Sequence, residues 1–219
     1  MEKTLTRARP APQWTSTAAT IAVVGSIAFV VLVGLLHVIE SNFDPTWRFI
    51  SEYELGRYGF LMHLAFVALA TSLAATAVSL WSQARTKLGY IGLAGFVLAA
   101  IGILMAGIFT TDPITTPQNA MDFSGNMHVL GAALDYSPVA MLLLSISLWR
   151  KQAWRSMRSW MFVAAGLSLG LMFAFIAALP KNNVYHKGVY AGLIGRLLLI
   201  SYTLWIIPMC RHIQALRRT

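Results

Sequence analysis

Six runs of about twenty apolar residues occupy most of this chain, and no other property restricts its fold so strongly. They fall at roughly 16–39, 58–82, 89–110, 127–149, 159–180 and 188–209. A helix rises about 1.5 Å per residue, so ~20 residues cross the hydrocarbon of a bilayer. Backbone groups in lipid must bond within the protein, which selects helices over open strands. The expected fold is therefore all-α. It is a polytopic membrane bundle of six transmembrane helices with a short interfacial segment after the first. Composition agrees: 11% of the residues are charged and 57% hydrophobic, whereas ordinary globular chains carry about 25% charged residues. Lys3, Arg7 and Arg9 give a basic start. The run after them far exceeds the ~7–15 residues of a cleavable signal, and it reads as a retained first span. The chain divides into a basic N-terminal segment (1–15), the membrane domain (16–209) and a basic tail (210–219).

Charge sets the orientation. Lys3, Arg7, Arg9, Arg85, Lys87, Arg150, Lys151, Arg155, Arg158, Arg211, Arg217 and Arg218 fall on one side, against Arg48, Arg57, Lys181 and Lys187 on the other. This asymmetry predicts a cell (inner) membrane protein with both termini cytoplasmic. The net charge of +9 sits in short runs between apolar spans. It points to membrane lipids as partners and not to nucleic acid. Cys210 is the only cysteine, so no internal disulfide forms.

The acids and histidines go the other way. Glu40, Asp44, Glu52, Glu54, Asp112 and Asp122 lie on or near the outer side, and so do His37, His63, His128 and His186. Each outer turn has a proline where the outgoing helix stops (Pro45, Pro113, Pro180) and a histidine near the start of the returning one, which suggests three related helical hairpins. The stretch DPTWRFISEYELGRYGFLMH, Asp44 to His63, is too polar to cross and too aromatic for a free loop. A short interfacial helix is expected there, starting at Asp44-Pro45 and stopping at Gly56. Two readings of it stay open. In one it is a lid held by pairs such as Arg48–Glu52. In the other, Ser51 and Glu52 turn inward over a pocket.

At Ile50-Ser51-Glu52-Tyr53, Gly56, Tyr58-Gly59-Phe60-Leu61-Met62, Thr111-Asp112-Pro113 and Gly125-x-x-His128, the chain resembles a bacterial and archaeal membrane family. That family is catalogued as domain of unknown function number 998. The resemblance spans about residues 18–209. It implies the architecture and leaves the biochemical role open.

The candidate catalytic residues are Glu52, Ser51, Asp112 and His128. His63, His128 and Asp112, at helix ends of similar depth, suit a divalent metal, which would let Glu52 activate a bound water. A bis-histidine haem on two of His37, His63 and His128 is a further cofactor option. Asp135 and Arg196 are expected at matching depth in the fourth and sixth spans, where lone charges cost about 2.5–3.5 kcal/mol, so they are expected to pair. Tyr136, Ser137 and Pro138 suggest a broken helix beside that pair. The glycines at 89, 92, 95, 102 and 107 read as close-packing positions. Three functions remain: an intramembrane enzyme, a hydrolase of an amphiphilic substrate; a transporter or binder of a small amphiphilic ligand; and a non-catalytic subunit or sensor.

Overall fold

The computed structural model describes residues 12–181 and 184–217. The basic residues Lys3, Arg7, Arg9 and Arg218 lie outside them. Among the described residues seven α-helices run in order: α1 (Gln13–Ile39), α2 (Phe60–Leu80), α3 (Lys87–Ile108), α4 (Phe123–Ala133), α5 (Ser137–Trp149), α6 (Arg158–Ala178) and α7 (Ala191–Leu216). A 3-10 helix, Ile50–Leu55, follows α1, and the segment 44–55 that ends in it is called the lid below. Among the described residues there is no strand. Helices α4 and α5 together make one span, and among the described residues six spans are long and apolar enough to cross a membrane. The chain is a multi-pass membrane protein.

Local chemistry sets the boundaries. The Thr86 hydroxyl accepts from the Gly89 N–H and starts α3. The Asp122 carboxylate accepts from the Gly125 N–H at 2.7 Å and starts α4, a few residues before the expected position. The fourth span breaks where the sequence suggested. α4 ends at Ala133, and α5 begins at Ser137-Pro138. Proline has no N–H to donate and suits a helix start. α7 runs on to Leu216, past the apolar run, because helical hydrogen bonding continues into the basic tail.

The helices form a ring. α1 packs on α2, α2 on α3, α3 on α5, α5 on α6, α6 on α7, and α7 back on α1. Gln214 donates to the Thr20 hydroxyl, so the start of α1 and the end of α7 share one side. On the opposite, lid side, α4 takes the place of α5 and packs on α3. α4 and α6 are not packed neighbours. The ring is thus closed on the side of the termini and open on the lid side.

Small residues bring the helices together, as lipid offers no hydrophobic drive between spans. At the α3–α4 crossing, a Cβ on Gly102 would lie 2.4 Å from the Gly131 carbonyl oxygen. Buried hydroxyls add pairs such as Ser26–Ser72 at 2.8 Å and Ser168–Ser201 at 2.7 Å.

Candidate functional site

The lid is not an amphipathic helix at the interface. Ile50, Ser51, Glu52, Tyr53 and Glu54 are all buried. Its helix starts at Ile50, five residues later than expected. Asp44 instead closes a tight turn, accepting from the Thr46 N–H at 3.0 Å and its hydroxyl at 2.6 Å. Those bonds, the hydroxyl's first, hold the Asp44 carboxyl below its usual range. Of the two readings, Glu52 follows the inward one, and Glu54 turns inward with it. They point into the protein, because backbone N–H groups there would otherwise lack partners.

Three glutamates pin backbone amides at this end. Glu40 accepts from the Tyr58 N–H at 2.6 Å. Glu52 accepts from Phe49 at 3.0 Å and Ile114 at 2.9 Å, one amide per oxygen. Arg48 stands 3.2 Å from Glu52, the ion pair expected from the sequence. Burial raises the Glu52 carboxyl above its usual range, opposed by these amides and by Arg48. Glu54 accepts from the Thr111 N–H at 2.8 Å. Burial pushes its carboxyl up to about 8, with the Thr111 amide opposing.

The two histidines meet at Glu54. His63 Nδ1 lies 3.6 Å from one of its oxygens and His128 Nδ1 3.6 Å from the other. Both rings donate Nδ1–H to carbonyls at the end of α3: His63 to Gly107 and His128 to Phe109, each at 2.9 Å. The final carbonyls of a helix have no partner within it. This accounts for His63 and His128 at the lid side. His186 departs from the pattern, with its Nδ1 on the neighbouring Lys187 carbonyl.

Several expected groupings are corrected. Glu52 does not converge with His63 and His128; Glu54, named in no candidate site, takes that place. Its signal was its position two residues from Glu52 in a segment that turns inward. Asp112 stands apart and accepts from the Asp122 N–H at 3.1 Å. A Cβ at Gly125 would lie 1.9 Å from its Oδ2, which accounts for glycine at the head of Gly125-x-x-His128. Among the described residues, no three His, Cys, Asp or Glu side chains are placed to hold a metal ion. The expected set of His63, His128 and Asp112 is not assembled, because each is turned onto backbone. His37, named with them for haem, is occupied at both ring nitrogens: Nδ1 bonds the Val33 carbonyl and Nε2 accepts from Arg196.

Asp135 and Arg196 do not pair. Arg196 donates to His37 at 3.0 Å and to the carbonyls of Pro45, Arg48 and Gly192. It lies face-on to the Tyr53 ring, 5.3 Å away. Arg196 therefore ties the lid to α7. The lid sits so close that a Cβ on Gly192 would lie 2.4 Å from the Arg48 carbonyl oxygen. Asp135 accepts from Ser137 through Oδ1 and from the Tyr202 hydroxyl at 2.9 Å through Oδ2. Tyr202 is six residues beyond Arg196, about 9 Å along α7. The depths differ because α7 begins only at Ala191, while Asp135 follows all of α4. Gly131 and Gly192, the small residues that close approach of the fourth and sixth spans would use, serve other contacts. Gly131 meets Gly102, and Gly192 meets the lid.

Beneath the lid, between α3, α4, α6 and α7, lies a cavity of about 590 Å³. Ser51, Thr111 and His128 line its lid end; Asp135, Tyr136 and Tyr202 line its deep end. Between them the wall is apolar, with Ile103, Ala132, Met172, Phe175, Ile176 and Leu199 among its residues. α4 and α6 both contribute, although they do not pack together. Packing of α5 on α3, α6 and α7 closes the far end.

No curated protein and no solved structure matches the chain. A family model described as Protein of unknown function (DUF998) matches residues 23–212. The match takes in the lid, the α3–α4 turn, the histidines and the cavity walls, and the chain belongs to the DUF998 family of membrane proteins.

Proposed function

We propose that this protein binds an amphiphile, taken laterally from the bilayer into the cavity beneath the lid. One observation carries the reading: a cavity of about 590 Å³ has an apolar middle and polar ends, and two of its wall helices, α4 and α6, are not packed together. Ligand pockets commonly have this size and this mix of apolar wall with a few polar groups. The charge asymmetry supports a cytoplasmic side at the termini and a lid facing away from the cytoplasm. The ligand then comes from the outer leaflet of the cell membrane.

Binding is preferred to hydrolysis on the placement of the acids. Both oxygens of Glu52 already accept backbone N–H groups, which suits a lid staple better than a general base. Asp112 holds the start of α4. Of the four candidate catalytic residues, Ser51 and His128 line the cavity and are the pair for a ligand's polar group to meet.

The test is to purify the protein in detergent, extract it with organic solvent and identify co-purifying amphiphiles by mass spectrometry. Ala133→Trp, which fills the cavity, should lose them while keeping a cooperative thermal transition. An extract with no amphiphile enriched over an unrelated membrane protein, or one unchanged by Ala133→Trp, would sink the reading.

A further inference from the structure

Among the described residues, the cavity wall holds one carboxylate and no lysine or arginine. Asp135 is the single acid lining it, at the deep end. The partners of Asp135 are the Ser137 N–H at 3.1 Å, the Ser137 hydroxyl at 2.6 Å and the Tyr202 hydroxyl at 2.9 Å, all neutral. None of the ion pairs among the described residues includes it. Arg196, the cation expected there, is committed to His37 and the lid carbonyls. Three donors and the start of α5 at Ser137 offset part of the cost of a charge at this point, and a cation against Asp135 would offset more. A half-buried carboxylate whose partners are all neutral still favours an incoming cation. Tyr136 and Tyr202 flank it at the deep end, and Phe66 and Phe175 line the cavity wall toward the lid. Ring faces attract ammonium groups.

We infer that the cavity takes a hydrophobic amine. Its cationic nitrogen rests against Asp135, and its apolar part fills the space between α4 and α6. Anionic amphiphiles are disfavoured, since they would meet a carboxylate with no basic side chain lining the wall. This rests on the proposal that the cavity binds amphiphiles, and it names the class.

The test uses three probes with one chain length and three head charges: decyltrimethylammonium, decanol and decanoate. Binding is measured on the full chain in nanodiscs of zwitterionic lipid. The wild type should bind the ammonium probe at least tenfold tighter than decanol, and decanoate most weakly. Asp135→Asn, which keeps an oxygen to accept from Ser137, should bring the ammonium probe to the level of decanol without weakening decanol. Ala133→Trp should weaken both. Equal affinity for the three probes in the wild type, or an ammonium preference that survives Asp135→Asn, overturns the amine inference and leaves amphiphile binding standing. Binding of no probe by the wild type overturns both. Should Asp135→Asn fail to fold, the ranking of the three probes on the wild type still decides.

Discussion

Glu54 shows most directly what one side chain does here. Its carboxyl sits between two histidines, one oxygen has no hydrogen-bond partner, and burial pushes its pKa up to about 8 from the usual 4.5. The folded protein therefore holds this proton at pH values where the unfolded chain has lost it. The group's contribution to stability is fully present below about 4.5 and is lost as pH rises through 8. Thermal unfolding in detergent should show a midpoint that falls between pH 5 and 8.5. Glu54→Gln mimics the neutral carboxyl and can still accept from Thr111, so it should flatten that slope with little loss near pH 5. A slope unchanged in Glu54→Gln would assign the pH dependence elsewhere. Arg196 gives a second prediction at this scale. Its loss frees the lid carbonyls and His37, and Arg196→Gln should cost about 1.5–3 kcal/mol. Because Arg196 and Asp135 do not touch, the double variant with Asp135→Asn should be additive within about 0.5 kcal/mol. A large coupling energy would restore the ion pair expected from sequence.

At the scale of elements, the α3–α4 crossing decides the shape of the lid side. Gly102 and Gly131 let the two backbones touch, and the break at 134–136 lets α4 leave the line of α5. Gly102→Ala would set a methyl 2.4 Å from a backbone oxygen. Overpacking of this kind costs about 1–3 kcal/mol. Gly166→Ala and Gly170→Ala on α6 meet nothing within 4 Å and should be tolerated. Denaturation midpoints of the three variants check this, and equal losses in all three would show that the crossing is not tight. The third-span glycines were legible as packing positions from sequence. Which helix each one meets was not, since every span offers similar small residues.

The whole molecule is a ring closed at one end and open at the other. Its orientation in the membrane is checked by thiol labelling in intact cells. Cys210 is buried and should stay silent. A cysteine at exposed Gln118, on the lid side, should react with an impermeant maleimide. One at exposed Gln152, on the side of the termini, should react only after permeabilisation. The reverse pattern would invert the assignment of the lid to the outer face.

The sequence by itself determined the spans, their number and the helix break. These follow from lengths of apolar chain and from Pro138, which are local properties. It also marked the lid and the residues beneath it, because charges and histidines are costly near lipid and collect where they have work to do. Only the tertiary structure decided the partners. Glu54 and not Glu52 meets the histidines, Arg196 serves the lid, and Asp135 is left with Tyr202. Those outcomes depend on which backbone groups remain unsatisfied once the helices are docked. A buried polar side chain goes to whichever unpaired donor or acceptor the packing brings within about 3 Å, and spacing along the chain does not encode that.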